Sequence, residues 1–284
     1  MVLDKFKQII SLFRPINSLM VGFAVVVGAA VVSREEVFSN SVLMGFLTGF
    51  FISSFSMVTN DYYDVEVDKI NMPSRPLPSG AVSLTSAKWL ASLSLVVGLF
   101  FAFLTTPIHL AIATIFAIVA WVYNYRGKKH GISGNMLVAI SISIPYLYGG
   151  LAVGRGLDPL IIFLSLTTFI AATGREVVKG ITDLEGDKVR KIWSVARSRG
   201  TNEAAWIGSV LFIVAVISSW LPLITSAAGL IYGVLVIIPD GIFIYAAAAM
   251  VKRSTAQRAR HVKKIALIGM LAGLLAFIFG GTFR

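Results

Sequence analysis

The chain has 284 residues, of which 56% are apolar and only 14% are charged, and it contains no cysteine. This composition excludes a soluble globular protein and indicates a polytopic membrane protein. The formal net charge of +11 is no evidence for nucleic-acid binding, because loop orientation and attraction to anionic head groups account for it first. The absence of cysteine excludes disulfides and thiolate metal sites.

Apolar runs of about 20 residues predict nine transmembrane helices. They lie at about residues 17–33, 41–59, 86–105, 108–124, 134–153, 158–175, 204–221, 225–250 and 265–281. The first lacks a small-residue cleavage site followed by a polar chain, so we interpret it as a retained helix rather than a signal peptide. The prediction is an all-α bundle of nine transmembrane helices around a central cavity, formed by a single domain over residues 1–284.

The basic residues predict the orientation of the bundle. With nine spans, the N-terminus and the loops after spans 2, 4, 6 and 8 share one face, which carries every lysine and arginine except Arg34, Arg155 and Arg284. The positive-inside rule makes this face cytoplasmic. We therefore expect a multi-pass protein of the cell membrane with these loops in the cytoplasm.

The segment before the first span contains Arg14 and Asn17. Arg14 suits either an interfacial anchor or a functional role. Asn17 lies at the mouth of the predicted helix, on the same side of the membrane as the acidic residues described next.

An unusual stretch follows the second span at residues 60–80. Its first part, residues 60–68, which we name the first Asp-rich segment, contains Asp61, Asp64 and Asp68. If the helix continues past Asn60, the three carboxylates stack on one face. Because like charges repel at this spacing, the segment needs a cationic partner, and a divalent metal is the strongest candidate. The alternative is a solvated acidic helix end.

The connection after this segment is rich in helix-breaking residues, namely Pro73, Pro76, Pro78 and Gly80. We expect it to be ordered enough to fold back, so that Arg75 could contact an anionic ligand. A breaker-rich linker with an isolated charge is the alternative.

At the end of span 4, aromatic residues including Tyr123 give way to cations including Lys128 within a few residues. This pattern is ordinary for a membrane boundary, and it also supplies candidate phosphate ligands on the cytoplasmic face. His130 has no partner at metal-ligand spacing and is interpreted as a surface residue.

A second charged stretch follows span 6. Arg175, Lys179, Asp183 and Asp187 recur at intervals of four, which places two cations and two anions on one helix face. We name residues 183–187 the second Asp-rich segment. Two such segments on one side of the membrane favour metal binding over solvated helix ends, because carboxylates that face a bundle interior are usually functional.

Asp240 lies inside span 8 and is preceded by Pro239 and followed by Gly241. We expect this sequence to break the helix and a neighbouring span to satisfy its polar groups. No functional role is assigned to Asp240.

Two carboxylate segments flanked by lysine and arginine suit Mg²⁺ ions that bind a diphosphate. Such a site neutralises the charge that develops on a departing diphosphate. If the substrate is an isoprenyl diphosphate, aromatic faces can stabilise the allylic cation, and an apolar bundle can hold the hydrocarbon tail. The expected partners are therefore an isoprenyl diphosphate, a lipid-like acceptor and the membrane, with no nucleic acid and no evident protein partner.

The run from Asn60 to Asp68, followed by Arg75-Pro76-Leu77-Pro78-Ser79-Gly80, resembles the first Asp-rich motif of the UbiA superfamily of intramembrane prenyltransferases, and Asp183-Leu184-Glu185-Gly186-Asp187 resembles the second. The resemblance covers essentially the whole chain. It implies that the metal ligands are Asn60, Asp64, Asp68, Asp183 and Asp187. The residues assigned to catalysis are Asp64, Asp68, Asp183, Asp187 and Lys128. Those assigned to substrate binding are Asn17, Asn60, Asp61, Arg75, Tyr123, Arg175 and Lys179.

Within that superfamily, the residues from Tyr123 to Lys129, the Gly134-Asn135 pair and the second Asp-rich segment look most like the archaeal branch that makes digeranylgeranylglyceryl phosphate. This implies Mg²⁺-dependent transfer of a geranylgeranyl group to the hydroxyl of geranylgeranylglyceryl phosphate in ether-lipid synthesis. Gly180, Thr182 and residues 193–196 depart from the branch pattern. Prenylation of an aromatic or tetrapyrrole acceptor therefore stays open.

Two further classes of protein fit the sequence less well. A transporter of divalent cations or anions would need polar residues that continue across the membrane, whereas the carboxylates here gather on one face. A transferase of nucleotide-activated phospho-alcohols would be expected to carry an Asp-Gly-x-x-Ala-Arg run, which the sequence lacks.

Overall fold

The computed structural model describes residues 2–125, 131–189 and 192–281. Within these ranges the regular structure is α-helical. The helices are α1 (Val2–Leu12), α2 (Pro15–Val32), α3 (Asn40–Tyr63), α4 (Val65–Asn71), α5 (Leu84–Thr105), α6 (Pro107–Tyr125), α7 (Gly131–Ala152), α8 (Pro159–Thr182), α9 (Leu184–Val189), α10 (Val195–Arg199), α11 (Thr201–Ser219), α12 (Leu221–Ile224), α13 (Leu230–Lys252) and α14 (Ala256–Gly280). The all-α prediction is confirmed.

Nine segments in the described ranges are long and apolar enough to cross a membrane, and each coincides with a predicted span. The protein is therefore a multi-pass membrane protein. The helices that lead into the Asp-rich segments are longer than their apolar runs predicted. The predicted spans end at about residues 59 and 175, whereas α3 continues to Tyr63 and α8 to Thr182. Each therefore carries polar residues beyond its apolar run.

The chain forms two compact units, one of residues 1–26 and 35–127 and the other of residues 27–34 and 128–284. The single domain and the central cavity stay predictions. In the first unit, α3 packs against α5 and α6. The buried positions of α5 are small, namely Ala87, Ser94, Gly98 and Ala102, while its large apolar side chains are mostly exposed. Helices in lipid associate through such small residues because they allow close backbone approach.

In the second unit, α8 packs against α7, α11 and α14, and α13 packs against α11 and α14. The α8–α11 crossing depends on glycine. A Cβ atom added at Gly208 would lie 2.6 Å from Val178 Cγ2, and one added at Gly174 would lie 3.2 Å from the Gly208 carbonyl oxygen. The crossing therefore has no room for larger side chains.

The prediction that the helix breaks around Asp240 is wrong, because α13 continues through Pro239 to Lys252. A helix interrupted in lipid would expose several backbone groups, whereas an internal proline removes one hydrogen bond. The expectation that a neighbouring span satisfies Asp240 is confirmed. Ser219 Oγ donates to Asp240 Oδ1 at 2.9 Å, and Trp220 Nε1 donates to Asp240 Oδ2 at 2.8 Å.

Candidate active site

The first Asp-rich segment lies on an almost continuous helix with a break at Asp64. This residue has φ −91° and ψ 0° and separates α3 from α4. The backbone ladder nevertheless crosses the break, because Asp64 N–H donates to the Asn60 carbonyl at 3.0 Å and Asp68 N–H donates to the Asp64 carbonyl at 2.8 Å. The expected helical spacing of the aspartates is therefore present.

Two of the three aspartates are paired with arginine. Arg14 Nη2 lies 2.5 Å from Asp61 Oδ1, and Arg75 Nη1 lies 2.5 Å from Asp68 Oδ2 and 3.6 Å from Asp61 Oδ1. Asp61 and Asp68 are almost fully buried. The cationic partner required by the spacing is therefore supplied by arginine at Asp61 and Asp68, with Arg75 contacting both carboxylates.

Arg14 was not among the residues assigned to the site, although a functional role was one of its two interpretations. It follows α1 with a left-handed backbone, φ 43°, and its N–H donates to the Ser11 carbonyl at 3.1 Å. Pro15 then begins α2, where its missing N–H costs nothing. This tight change of direction brings a side chain from before the first span to Asp61.

The proline-containing connection folds back as expected. Leu77 and Val82 are buried and pack in one cluster with Leu12, Val58 and Ala87. The N–H of Val82 donates to the carbonyl of residue 76 at 3.0 Å. Because buried side chains and a backbone hydrogen bond hold the connection, its arginine is presented to the first Asp-rich segment from an ordered segment rather than from a loose linker.

Asn60 and Asp64 form the other part of the segment. Asn60 Nδ2 donates to Asp64 Oδ2 at 3.2 Å. This contact leaves the side-chain carbonyl oxygen of Asn60 on the same turn as the Asp64 carboxylate. Amide and carboxylate oxygens are suitable ligands for a hard divalent cation.

Aromatic rings lie beside the first Asp-rich segment. The Tyr63 and Tyr125 ring centroids are 5.5 Å apart, and Tyr125 stacks on Trp121 at 5.9 Å. Tyr62 is covered by the Lys88 ammonium at 5.4 Å. The ends of α3 and α6 therefore present π surfaces of the kind that attract cations.

The second Asp-rich segment repeats the geometry of the first. Asp183 has φ −103° and ψ 6° and separates α8 from α9, and Asp187 N–H donates to the Asp183 carbonyl at 2.8 Å. Asp183 is half-buried and Asp187 is buried. Each segment thus places two aspartates one turn apart, with the first of them at a helix break.

Arg175 and Lys179 both contact Glu176, which sequence reasoning did not assign to the site. Arg175 Nη1 lies 2.6 Å from Glu176 Oε1, and Lys179 Nζ lies 3.0 Å from Glu176 Oε2. Glu176 is buried, so its charge needs these partners. The sequence did offer one indication of this contact, because Glu176 and Lys179 are three residues apart, a spacing that allows an ion pair on a helix. The two cations assigned to substrate binding are therefore held by a carboxylate.

Arg197, a residue that sequence reasoning also missed, contacts the backbone of the second Asp-rich segment. Arg197 Nη1 donates to the carbonyls of Asp187 and Ile192 at 3.0 and 2.9 Å. Its guanidinium lies 4.6 Å from the centre of the Trp193 ring. Trp193, one of the departures from the branch pattern, therefore packs on the arginine that holds the end of the second Asp-rich segment.

The remaining assigned residues are Asn17 and Tyr123, which the structure describes, and Lys128, which lies outside the described residues. Asn17 is exposed in the first turn of α2, and Tyr123 is half-buried near the end of α6. The next residue, Asn124, is buried and donates to the Ser56 carbonyl at 3.1 Å. Lys128 lies outside the described residues, as do Arg126, Lys129, His130, Arg190 and Lys191.

The donor set fits Mg²⁺ bound together with phosphate. Among the described residues, no group of three or more histidine, cysteine, aspartate or glutamate side chains could hold a metal ion. A complete protein cage is therefore not formed in this part of the chain. Mg²⁺ typically uses one or two carboxylates and completes its octahedron with water and substrate phosphates, which is what each aspartate pair offers.

Comparison with known proteins connects this arrangement with one family. The sequence model of the UbiA prenyltransferase family matches residues 21–278. A digeranylgeranylglyceryl phosphate synthase of Methanocaldococcus jannaschii is 34% identical over 278 residues, which cover 98% of this chain and 97% of that protein.

The solved structures that are similar to this chain include the following two. A structure of digeranylgeranylglyceryl phosphate synthase superposes with a TM-score of 0.88 at 33% identity, covering 98% of this chain and 99% of the other. A UbiA homologue from Archaeoglobus fulgidus, bound to DMAPP and Mg²⁺, superposes with a TM-score of 0.65 at 16% identity, covering 94% and 97%. At that identity the second likeness concerns the fold alone.

Proposed function

This chain belongs to the UbiA prenyltransferase family, and from this premise we propose that it transfers a geranylgeranyl group from its diphosphate to the hydroxyl of geranylgeranylglyceryl phosphate. The observation that carries the proposal is the pair of kinked Asp-x-x-x-Asp segments in a chain that aligns along its whole length with a synthase of this product. Family membership favours this enzyme class over a transporter.

In this proposal each Asp-rich segment supplies ligands for Mg²⁺ that is bound together with diphosphate. Asn60, Asp64 and Asp68 are the ligands from the first segment, and Asp183 and Asp187 are those from the second. When bound, Mg²⁺ neutralises the negative charge that develops on the departing diphosphate. The binding of DMAPP and Mg²⁺ by a homologue of the same fold supports the choice of metal.

The arginines that contact the first segment, Arg14 and Arg75, have a separate role. Asp61 and Asp68 are buried and would repel each other and any bound phosphate if they were left uncompensated. Arg14 and Arg75 reduce this repulsion and hold both carboxylates in place. Lys128 remains a predicted phosphate ligand.

Transfer requires no covalent intermediate with the protein. The bond between the first carbon of the prenyl group and the diphosphate oxygen breaks, and the diphosphate leaves with the electron pair. The acceptor hydroxyl then bonds to that carbon, and its proton passes to water at the membrane surface. Tyr63, Tyr125 and Trp121 provide partly exposed aromatic faces beside the first segment, where they would stabilise the allylic cation by about 0.5–1 kcal/mol each.

The acceptor carries its own phosphate, which needs a cationic site besides the one for the diphosphate. Arg126, Lys129, Arg190 and Lys191 are predicted for this role because they belong to the loops of the same predicted face. The positive-inside rule makes this face cytoplasmic, so we propose that both substrates react at the cytoplasmic surface of the membrane.

Product identification tests the proposal. Purified protein would receive geranylgeranyl diphosphate with either geranylgeranylglyceryl phosphate or 4-hydroxybenzoate, with MgCl₂ or with EDTA, and the products would be identified by mass. We expect a diether product that requires Mg²⁺. An aromatic product without diether would overturn the acceptor, and unchanged turnover in EDTA would overturn the metal chemistry.

A further inference from the structure

A lysine of the last helix reaches the second Asp-rich segment. Lys263 lies near the start of α14 and is half-buried. Its ammonium donates to Thr182 Oγ1 at 3.4 Å, and Thr182 Oγ1 lies 2.7 Å from Asp183 Oδ1. The three side chains thus form a connected path from α14 to an aspartate that is proposed to hold Mg²⁺.

The chemistry of the hydroxyl gives this path a direction. Thr182 has one proton to donate and two lone pairs with which to accept. Its oxygen accepts from Lys263, and its proton can go to Asp183 Oδ1 at 2.7 Å or to the Lys179 carbonyl at 2.8 Å. A charged acceptor makes the stronger hydrogen bond, and donation from the ammonium strengthens the hydroxyl as a donor. The path of hydrogen bonds therefore runs from Lys263 through Thr182 to Asp183.

Neighbouring cations do not serve the same position. Lys179 lies one turn before Asp183, but its ammonium is engaged by Glu176 at 3.0 Å. Lys264, the next residue after Lys263, is exposed. Lys263 thus differs from its neighbour by its contact with the Asp-rich segment, and Lys264 is a matched control for charge at this surface.

We propose that Lys263 is a positioning residue that acts through Thr182 to orient the Asp183 carboxylate for Mg²⁺. The proposal rests on the function proposed above. A hydrogen bond to Oδ1 fixes the rotation of the carboxylate at the helix break, so that its other oxygen can bind metal. Carboxylates that bind metals are usually held in this way, and loss of the outer partner typically costs about 10–100-fold in metal affinity or activity.

The test measures metal binding without turnover. Purified full-length protein would be melted across a MgCl₂ titration at a fixed concentration of inorganic pyrophosphate, because a ligand that binds the folded state raises its melting temperature. We expect Lys263→Gln and Thr182→Val to raise the MgCl₂ midpoint about 10–100-fold. Lys263→Arg and Thr182→Ser keep the donors and should raise it by less, and Lys264→Gln should leave it unchanged.

Two comparisons separate positioning from a general structural role. If Lys263 acts only through Thr182, the double variant Lys263→Gln/Thr182→Val should have a MgCl₂ midpoint no higher than that of the single variant with the higher midpoint. If the losses of Mg²⁺ affinity in the two single variants instead add up in the double variant, the two residues do not act through one path of hydrogen bonds. A Lys263→Gln midpoint equal to that of the wild type, or a Lys264→Gln midpoint shifted as far as that of Lys263→Gln, would overturn the proposal.

Prenyl transfer by the wild type, measured separately, distinguishes this inference from the proposed function. Normal transfer with an unchanged Lys263→Gln midpoint would refute the positioning role and leave the function intact. A shifted midpoint in a protein that transfers no prenyl group would support the positioning role and refute the function. A wild type without Mg²⁺-dependent stabilisation would refute the positioning role as well.

Discussion

Asp64 and Asp183 occupy the same local position, each the residue at which a 24-residue helix ends and a short helix begins. Arginine holds the second aspartate of each pair in a different way. Arg75 binds the side chain of Asp68, whereas Arg197 binds the backbone carbonyl of Asp187. Arg75 therefore compensates a carboxylate charge, whereas Arg197 fixes the path of the backbone.

For the individual aspartates, we predict that Asp64→Asn and Asp187→Asn abolish prenyl transfer while the protein stays folded. Each change removes a charge needed to hold Mg²⁺, and a loss on the order of 100-fold or more is expected. Diphosphate release and melting temperature should be measured on each variant. Glu66→Gln is the control, because Glu66 is exposed and pairs with the exposed Lys69 of its own helix. Equal activity of Asp64→Asn and Glu66→Gln would contradict the assignment.

Helices α8 and α11 of the second unit come close together because glycine, which has no side chain, lies where they cross. Gly208 of α11 faces Val178 of α8 at a distance that excludes a Cβ atom. In contrast, a Cβ atom added at Gly241 of α13 would meet no atom within 4 Å. Two glycines in membrane helices of the same unit therefore differ in structural importance.

From this difference we predict that Gly208→Val destabilises the protein by about 1–3 kcal/mol, because the helices must separate or distort to admit the new side chain. Gly241→Ala should be neutral or stabilising by up to about 1 kcal/mol, since alanine is the better helix former. Melting temperatures in one detergent would compare the variants. Similar melting of the two would show that the α8–α11 crossing is not closely packed.

The buried carboxylate of Asp240 joins two helices through hydrogen bonds from Ser219 and Trp220. Asp240→Leu should destabilise the protein by about 1–3 kcal/mol, because Ser219 Oγ and Trp220 Nε1 lose a buried acceptor. Asp240→Asn keeps one acceptor oxygen and should cost less. Thermal unfolding measures both, and transfer activity per folded molecule should stay unchanged. A selective loss of activity in Asp240→Asn would instead indicate a role in the reaction.

For the whole molecule, the distribution of basic residues predicts which surface faces the cytoplasm. The chain contains no cysteine, so single cysteines can be introduced without background. We expect Glu66→Cys, within the first Asp-rich segment, to react with a membrane-impermeant maleimide in inverted vesicles and not in intact cells. Leu157→Cys, in the exposed connection between α7 and α8, should show the opposite pattern. Reaction of both from one side would refute the topology.

The sequence by itself determined the membrane class, the nine spans and the aspartate spacing, because hydropathy and helical period are local properties that neighbouring residues carry together. It also predicted that Arg75 could contact an anionic ligand, which stays a prediction, because the contacts of Arg75 in the structure are to the carboxylates of Asp61 and Asp68. The prediction that the helix breaks at Pro239 was wrong, because a broken helix would expose backbone groups to lipid, and that cost outweighs the helix-breaking tendency of proline.

Only the tertiary structure decided which charged and polar groups are partners. Arg14 and Asp61 lie 47 positions apart in sequence, Ser219 and Asp240 lie 21 apart, and Thr182 and Lys263 lie 81 apart. No periodicity links such residues, since each pairing depends on how separate helices cross. The small side chains that permit those crossings are visible in the sequence, but the neighbour that each one admits is set by three-dimensional packing.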